Sequence, residues 1–156
     1  MSELTKINFQ IIEFQPKYQH QIIDLIGGVL KELKVIPQSN KSLGDEDLYK
    51  IAEVYKDRGR FWIAIIDNKV IGTVAVREMG QSVAKLNRMF VLTKYHGTGV
   101  GQSLLDHALK FAKQQEYTSI ILNTHLLMKR AHRFYEKNGF KIINEGNDKY
   151  HYRLAL

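Results

Sequence analysis

Glycines stand at positions 97, 99 and 101, in the run His96-Gly97-Thr98-Gly99-Val100-Gly101. Without a Cβ, such residues let the backbone turn sharply and come close to a ligand. Apolar residues follow at 100, 104, 105, 108, 109, 111 and 112, spaced by three and four as along one helix face. The glycines therefore sit where a helix begins. Main-chain N–H groups lack partners there, and the helix dipole presents its positive end, which suits a phosphate. The bland alternative is a tight strand-to-helix turn that binds nothing.

Two phosphate motifs are excluded. A dinucleotide fingerprint needs glycine at its first, third and sixth places. The sixth place is Gln102 counted from Gly97 and Leu104 counted from Gly99. A nucleotide-triphosphate loop ends in Gly-Lys-Ser or Gly-Lys-Thr, and neither occurs.

Other reactive side chains are sparse. There is no cysteine, hence no disulfide, thiolate metal site or cysteine nucleophile. The histidines, at 20, 96, 107, 125, 132 and 151, lack the short spacing of a zinc-binding helix. No metal is expected. Lys129, Arg130 and Arg133 crowd the start of a late helix, where they read as solvated charges or as partners for a phosphate.

The net charge is +7, from 23 basic and 16 acidic residues. Such an excess attracts anionic ligands, acidic surfaces or nucleic acid. The lysines are dispersed, and no basic helix, stacking motif or lysine-rich arm supports a nucleic-acid partner. No signal-peptide pattern and no long apolar run is present, so no membrane span is expected. The absence of cysteine agrees with a reducing cytoplasm. At 156 residues the chain is expected to be one domain, 1–156, with a sizeable core.

The positioning elements follow from pattern. Residues 8–14 read as a strand. Tyr18 to Leu33 reads as a helix, with a break or bend expected at Gly27-Gly28 unless the pair marks a crowded helix crossing. Val35 to Gly44 reads as a loop. Asp45 to Lys56 reads as a second helix, buried along Leu48, Ile51, Ala52 and Tyr55. Phe61 to Ile66 and Val70 to Met79 form a hairpin about Asp67-Asn68-Lys69, and Val83 to Leu92 adds a third antiparallel strand. After the long helix, Ser119 to Thr124 reads as a buried parallel strand. His125 to Asn138 reads as a helix buried along Leu127, Ala131, Phe134 and Tyr135, stopped by Asn138-Gly139. Phe140 to Ile143 and Tyr150 to Leu154 close as a hairpin.

The segment LNRMFVLTKYHGTGVGQSLL, residues 86–105, resembles the acyl-CoA-binding motif of the GNAT acetyltransferase superfamily, with His96 where Arg or Gln is usual. MKRAHRFYEKNGF, residues 128–140, is similar to the family's second motif: Ala131, Phe134, Tyr135, Gly139 and Phe140 match, and Met128 stands where Asn is common. The element order also matches along nearly the whole chain. The resemblance implies an α/β (α+β) fold: a mixed sheet of roughly six or seven strands, flanked by about four helices, with a splayed parallel strand pair.

It further implies an N-acetyltransferase using acetyl-CoA as co-substrate. The main chain at Met89, Phe90 and Val91 would face the thioester. The amides of His96, Gly97, Thr98, Gly99, Val100 and Gly101, with Gln102, would hold the pyrophosphate. Met128, Ala131 and Tyr135 would contact pantetheine, with one side-chain hydrogen bond lost at Met128. Tyr135 is assigned as general acid, because a phenol with pKa near 10 can donate to a leaving thiolate; on pattern alone it also reads as a helix-face aromatic. The base is left open among Glu78, His125 and water. The acceptor, a small-molecule or protein amine, has no readable motif, and dimerisation, common in that family, is undecided. A non-catalytic acyl-CoA-binding regulator is the alternative class.

Overall fold

The computed structural model describes residues 7–34 and 46–156. The expected loop at 35–44, and Asp45, lie outside the described residues. Strands β1 Gln10–Glu13, β2 Arg60–Ile66, β3 Lys69–Glu78, β4 Val83–Val91, β5 Ser119–His125, β6 Lys141–Glu145 and β7 Lys149–Ala155 form one sheet in the order β1-β2-β3-β4-β5-β7-β6. Every neighbouring pair is antiparallel except β4 and β5, which are parallel. The α-helices among the described residues are α1 Gln19–Glu32, α2 Ile51–Val54, α3 Val100–Gln114 and α4 Lys129–Lys137. This is the mixed α/β architecture that the sequence implies.

Alternation along β2 divides the core. Phe61, Ile63 and Ile65 pack with Ile22, Ile26 and Val29 of α1, while Trp62 and Ala64 pack with Leu104, Leu105 and Ala108 of α3. Each large apolar side chain fully buried in this way contributes about 1.5–3 kcal/mol. The β2–β3 turn places Asp67 and Asn68 at φ +48° and +65°, the left-handed pair whose twist matches a two-residue hairpin. Gly72 of β3 lies beneath the start of α3: a Cβ there would meet the Leu104 Cδ1 at 2.9 Å and the Phe90 carbonyl oxygen at 3.1 Å.

Several sequence expectations are corrected. α1 runs unbroken through Gly27-Gly28. Crowding does not explain the pair either, since a Cβ on either glycine would meet nothing within 4 Å. The five buried apolar residues of α1 outweigh the helix-propensity cost of two glycines. Gly28→Ala is therefore expected to raise stability by up to about 1 kcal/mol, read as a higher denaturant midpoint with an unchanged slope.

The expected helix from Asp45 to Lys56 is a 3-10 turn, Glu46–Tyr49, followed by the single-turn α2. Leu48, Ile51 and Tyr55 are buried, but Ala52 is exposed, because so short a helix presents only one edge to the sheet. The late helix begins at Lys129, not His125. Thr124 and His125 remain paired to β7, through Thr124↔Tyr150 and His125↔Lys149, and this extends β5. Leu127 falls in the intervening turn and is 54% exposed, so it leaves the expected buried stripe.

Candidate functional site

The site is built where β4 parts from β5. Their parallel pairing covers Val83↔Ser119, Ala84↔Ile120 and Lys85↔Ile121. Both strands run on, to Val91 and His125, without further pairing to each other among the described residues. A bulge bends β4 just past this point. Asn87 faces Ala75 and Phe90 faces Thr73, so Arg88 and Met89 share the place opposite Val74. Arg88 adopts φ +54°, and its carbonyl accepts a 2.6 Å hydrogen bond from the Thr73 hydroxyl. An extra residue of this kind bends and twists a strand. Beyond it, the Leu92 N–H donates to the Ile71 carbonyl at 2.9 Å. Strand alternation then turns the Phe90 amide toward β3 and the Val91 amide toward the gap.

A side-chain network fixes the bulge. The Arg88 guanidinium donates to both Asp47 carboxylate oxygens, from Nε at 3.0 Å and from Nη2 at 2.6 Å. The Tyr55 hydroxyl donates to the same carboxylate at 2.6 Å, and the Asn87 amide donates to the Tyr55 oxygen at 3.3 Å. Burial alone would raise the Asp47 pKa, but the hydrogen bonds and the Arg88 charge outweigh it and hold the carboxyl below its usual range. Burial, then the neighbouring Asp47 charge, pushes the Tyr55 phenol well above its own usual range.

The gap opens into a cleft of about 700 Å³. One wall is residues 85–90 of β4 and another is residues 122–125 of β5; Met128, Tyr135 and Lys149 complete it. Leu30, Val54 and the Glu46–Tyr49 turn approach from the other side. Met89, Phe90, Met128 and Tyr135 thus line one cleft, while Val91 and residues 96–102 are not part of its lining. Ala131 is half-buried and packs on the core behind α4.

Tyr135 has its ring in an aromatic cluster, with centroids 5.5 Å from Phe134 and from Phe140 and 6.2 Å from Tyr152. Among the described residues its hydroxyl has no hydrogen-bond partner, and no fully buried side-chain oxygen lacks one. The ring is therefore buried while the hydroxyl reaches the cleft surface. Burial raises the phenol well above its usual value, so it stays protonated through neutral pH.

The glycine loop follows β4 and lies outside the cleft lining. Gly97 and Gly99 take φ +78° and +94°, left-handed values that favour glycine, and Gly99 caps α3 without a side-chain hydrogen bond. Among the described residues, the amides of residues 97–102 donate to no backbone carbonyl, and the first helical bond is from Ser103 to Gly99. The His96 amide is already bonded to the Thr93 carbonyl, so the free donors begin at Gly97. The Gln102 side chain ties α3 to α4, donating to Asp106 at 2.9 Å and to Asn138 at 2.8 Å, which leaves its backbone N–H for a ligand. Such a row of amides at a helix start can hold an anion.

The two side chains considered as bases are placed differently. Glu78 is ion-paired to Arg58 at 2.8 Å and is not part of the cleft lining. His125 lines the cleft, but its Nδ1 accepts the Leu127 N–H at 3.1 Å. The neutral ring then carries its proton on Nε2 and presents a donor. Asp47 and Arg88, which anchor the cleft wall, escaped the sequence reading because they stand 41 residues apart and no spacing rule links them. Among the described residues no three His, Asp or Glu side chains gather as a metal site requires, and no helix is long and apolar enough to cross a membrane.

Comparison with known proteins bears on this arrangement. The model of the Acetyltransferase (GNAT) family matches residues 29–140. The chain is 40% identical over 84 residues to the N-acetylaspartate synthetase of Xenopus tropicalis, covering 53% of this chain and 31% of that protein. It is 32% identical over 106 residues to N-acetyltransferase 8 of Rattus norvegicus, covering 64% of this chain and 48% of that one. The chain thus spans less than half the length of these curated relatives. The crystal structure of an acetyltransferase from Streptococcus agalactiae superposes with a TM-score of 0.86 at 28% identity, covering 95% of this chain and 98% of that one. The PaiA N-acetyltransferase of Thermoplasma acidophilum, solved in complex with coenzyme A, shares the fold with a TM-score of 0.81 at 19% identity, over 96% of this chain and all of that one, 100%.

Proposed function

The chain belongs to the GNAT acetyltransferase family, and on that footing we propose that it moves an acetyl group from acetyl-CoA to a primary amine by direct attack in a ternary complex. Acetyl-CoA supplies the activated acyl thioester. This chain's residues bind, orient and handle protons around it. The free amides of Gly97 to Gln102 fit the pyrophosphate. The gap-facing Val91 amide fits the carbonyl oxygen, where charge builds during acyl transfer. The Tyr135 hydroxyl is the proton donor for the sulfur. Met128 and Phe90 give the thioester's carrier an apolar bed.

Deprotonation of the amine runs through water. Glu78 is engaged outside the cleft, and His125 presents a donor. The absence of cysteine supports a reducing, cytoplasmic setting.

The observation that carries the reading is the opening of β4 from β5 over a cleft that the Tyr135 hydroxyl reaches. The test is release of free CoA from acetyl-CoA in the presence of a panel of primary amines, with calorimetry in parallel. Amine-dependent release is expected. Binding heat without release would favour a non-catalytic acyl-CoA-binding regulator. Neither heat nor release would overturn both readings.

A further inference from the structure

The cleft carries a second, separate concentration of positive charge, away from the amides assigned to phosphate. Arg77 of β3 and Lys85 of β4 are directly opposed across the antiparallel ladder, so they share one face of the sheet. Lys149, at the start of β7, joins them in the cleft lining. Among the described residues none of the three makes an ion pair or a side-chain hydrogen bond.

Among the described residues the opposing charge is small: the lining carboxylates are Glu46 and Asp47, and Asp47 is engaged by Arg88 and Tyr55, while Lys50 adds a further cation. Burial, followed by the fields of Lys149 and Arg77, lowers the Lys85 pKa. An anion placed among these cations would relieve that repulsion. The glycine loop is not in this lining, so the coenzyme's pyrophosphate does not account for the charge.

We propose that the acceptor is an amine that also carries a side-chain carboxylate, as in an acidic amino acid, and that Lys85, Arg77 and Lys149 hold that carboxylate. This rests on the acetyltransferase reading. The three cations bind the acid group while the amine turns toward the thioester gap and Tyr135. They repel polyamines, whose charge has the wrong sign.

The test compares kcat/KM for L-aspartate and L-glutamate with that for L-asparagine, L-glutamine and spermidine, at saturating acetyl-CoA. The acids are expected to exceed their amides by about tenfold or more, because a charge-assisted hydrogen bond is stronger than a neutral one. Lys85→Gln and Arg77→Gln are each expected to raise KM for the acids about tenfold, with the KM for acetyl-CoA unchanged as the check on folding. Raised salt should weaken the preference. Spermidine or the amides turning over as well as the acids would overturn the proposal while leaving the acetyltransferase reading intact. So would an unchanged KM for the acids in both variants. No CoA release with any amine would overturn the acetyltransferase reading itself, and this one with it.

Discussion

Tyr135→Phe is expected to lower kcat by about a hundredfold or more, with KM for acetyl-CoA close to that of the parent protein. The substitution removes one oxygen that has no hydrogen-bond partner among the described residues. The ring contacts with Phe134, Phe140 and Tyr152 survive it, so the melting temperature should not fall. This separates a proton donor from a packing residue. If the aromatic ring alone mattered, Phe would serve equally and kcat would hold. Measurement of kcat, KM and Tm on the same preparation decides. An unchanged kcat would remove Tyr135 from the chemistry.

Arg88→Ala is expected to cost about 2–3 kcal/mol of stability, because it strands a mostly buried carboxylate. Arg88 and Asp47 are 16% and 14% exposed in their side chains, so solvent screens the pair only weakly. Activity should fall as well, since the pair ties the Glu46–Tyr49 turn to the β4 bulge at the cleft wall. Asp47→Asn should be milder, because an amide still accepts from Arg88 through one oxygen. The pH dependence follows from the depressed Asp47 pKa. The pair's contribution is fully present above the ordinary carboxylate value of 3.8 and is lost as pH falls through the lower, folded-state value. Acid unfolding monitored by circular dichroism, parent against Arg88→Ala, checks this: the variant should lose that acid-side dependence.

Much of the fold is legible because its signals are local. Asp67-Asn68 between two β-branched runs specifies the β2–β3 hairpin, and both residues take the left-handed angles that turn needs. Gly97 and Gly99 before a periodic apolar run specify the start of α3, and they too take positive φ. Local rules misplace what tertiary contacts decide. Gly27-Gly28 looks like a break, yet burial of Ile22, Leu25, Ile26, Val29 and Leu30 carries the helix across it. Residues 45–56 look like one helix, yet Asp47 is drawn to Arg88 and Tyr55. His125 looks helical, yet pairing with Lys149 keeps it in β5.

The candidate site divides the same way. Met89, Phe90, Met128 and Tyr135 belong to motifs and line the cleft together. The positive φ at Arg88 has no local cause in Leu86-Asn87-Arg88-Met89-Phe90. Its support comes from Thr73 and Asp47, 15 and 41 residues away in the chain. Neither partner can be read from a spacing rule.

The position of β7 between β5 and β6 also governs how the molecule is made. During synthesis β5 can meet β4 through only three residue pairs; its other edge stays open until the ribosome has delivered residues 149–155. Ile120 and Leu122 then sit on a strand with unsatisfied main-chain groups, which invites association with other nascent chains. The β5 wall of the cleft is therefore secured last, and truncation before Lys149 would strip it of its β7 partner while leaving the glycine loop and the hairpins of the other half in place.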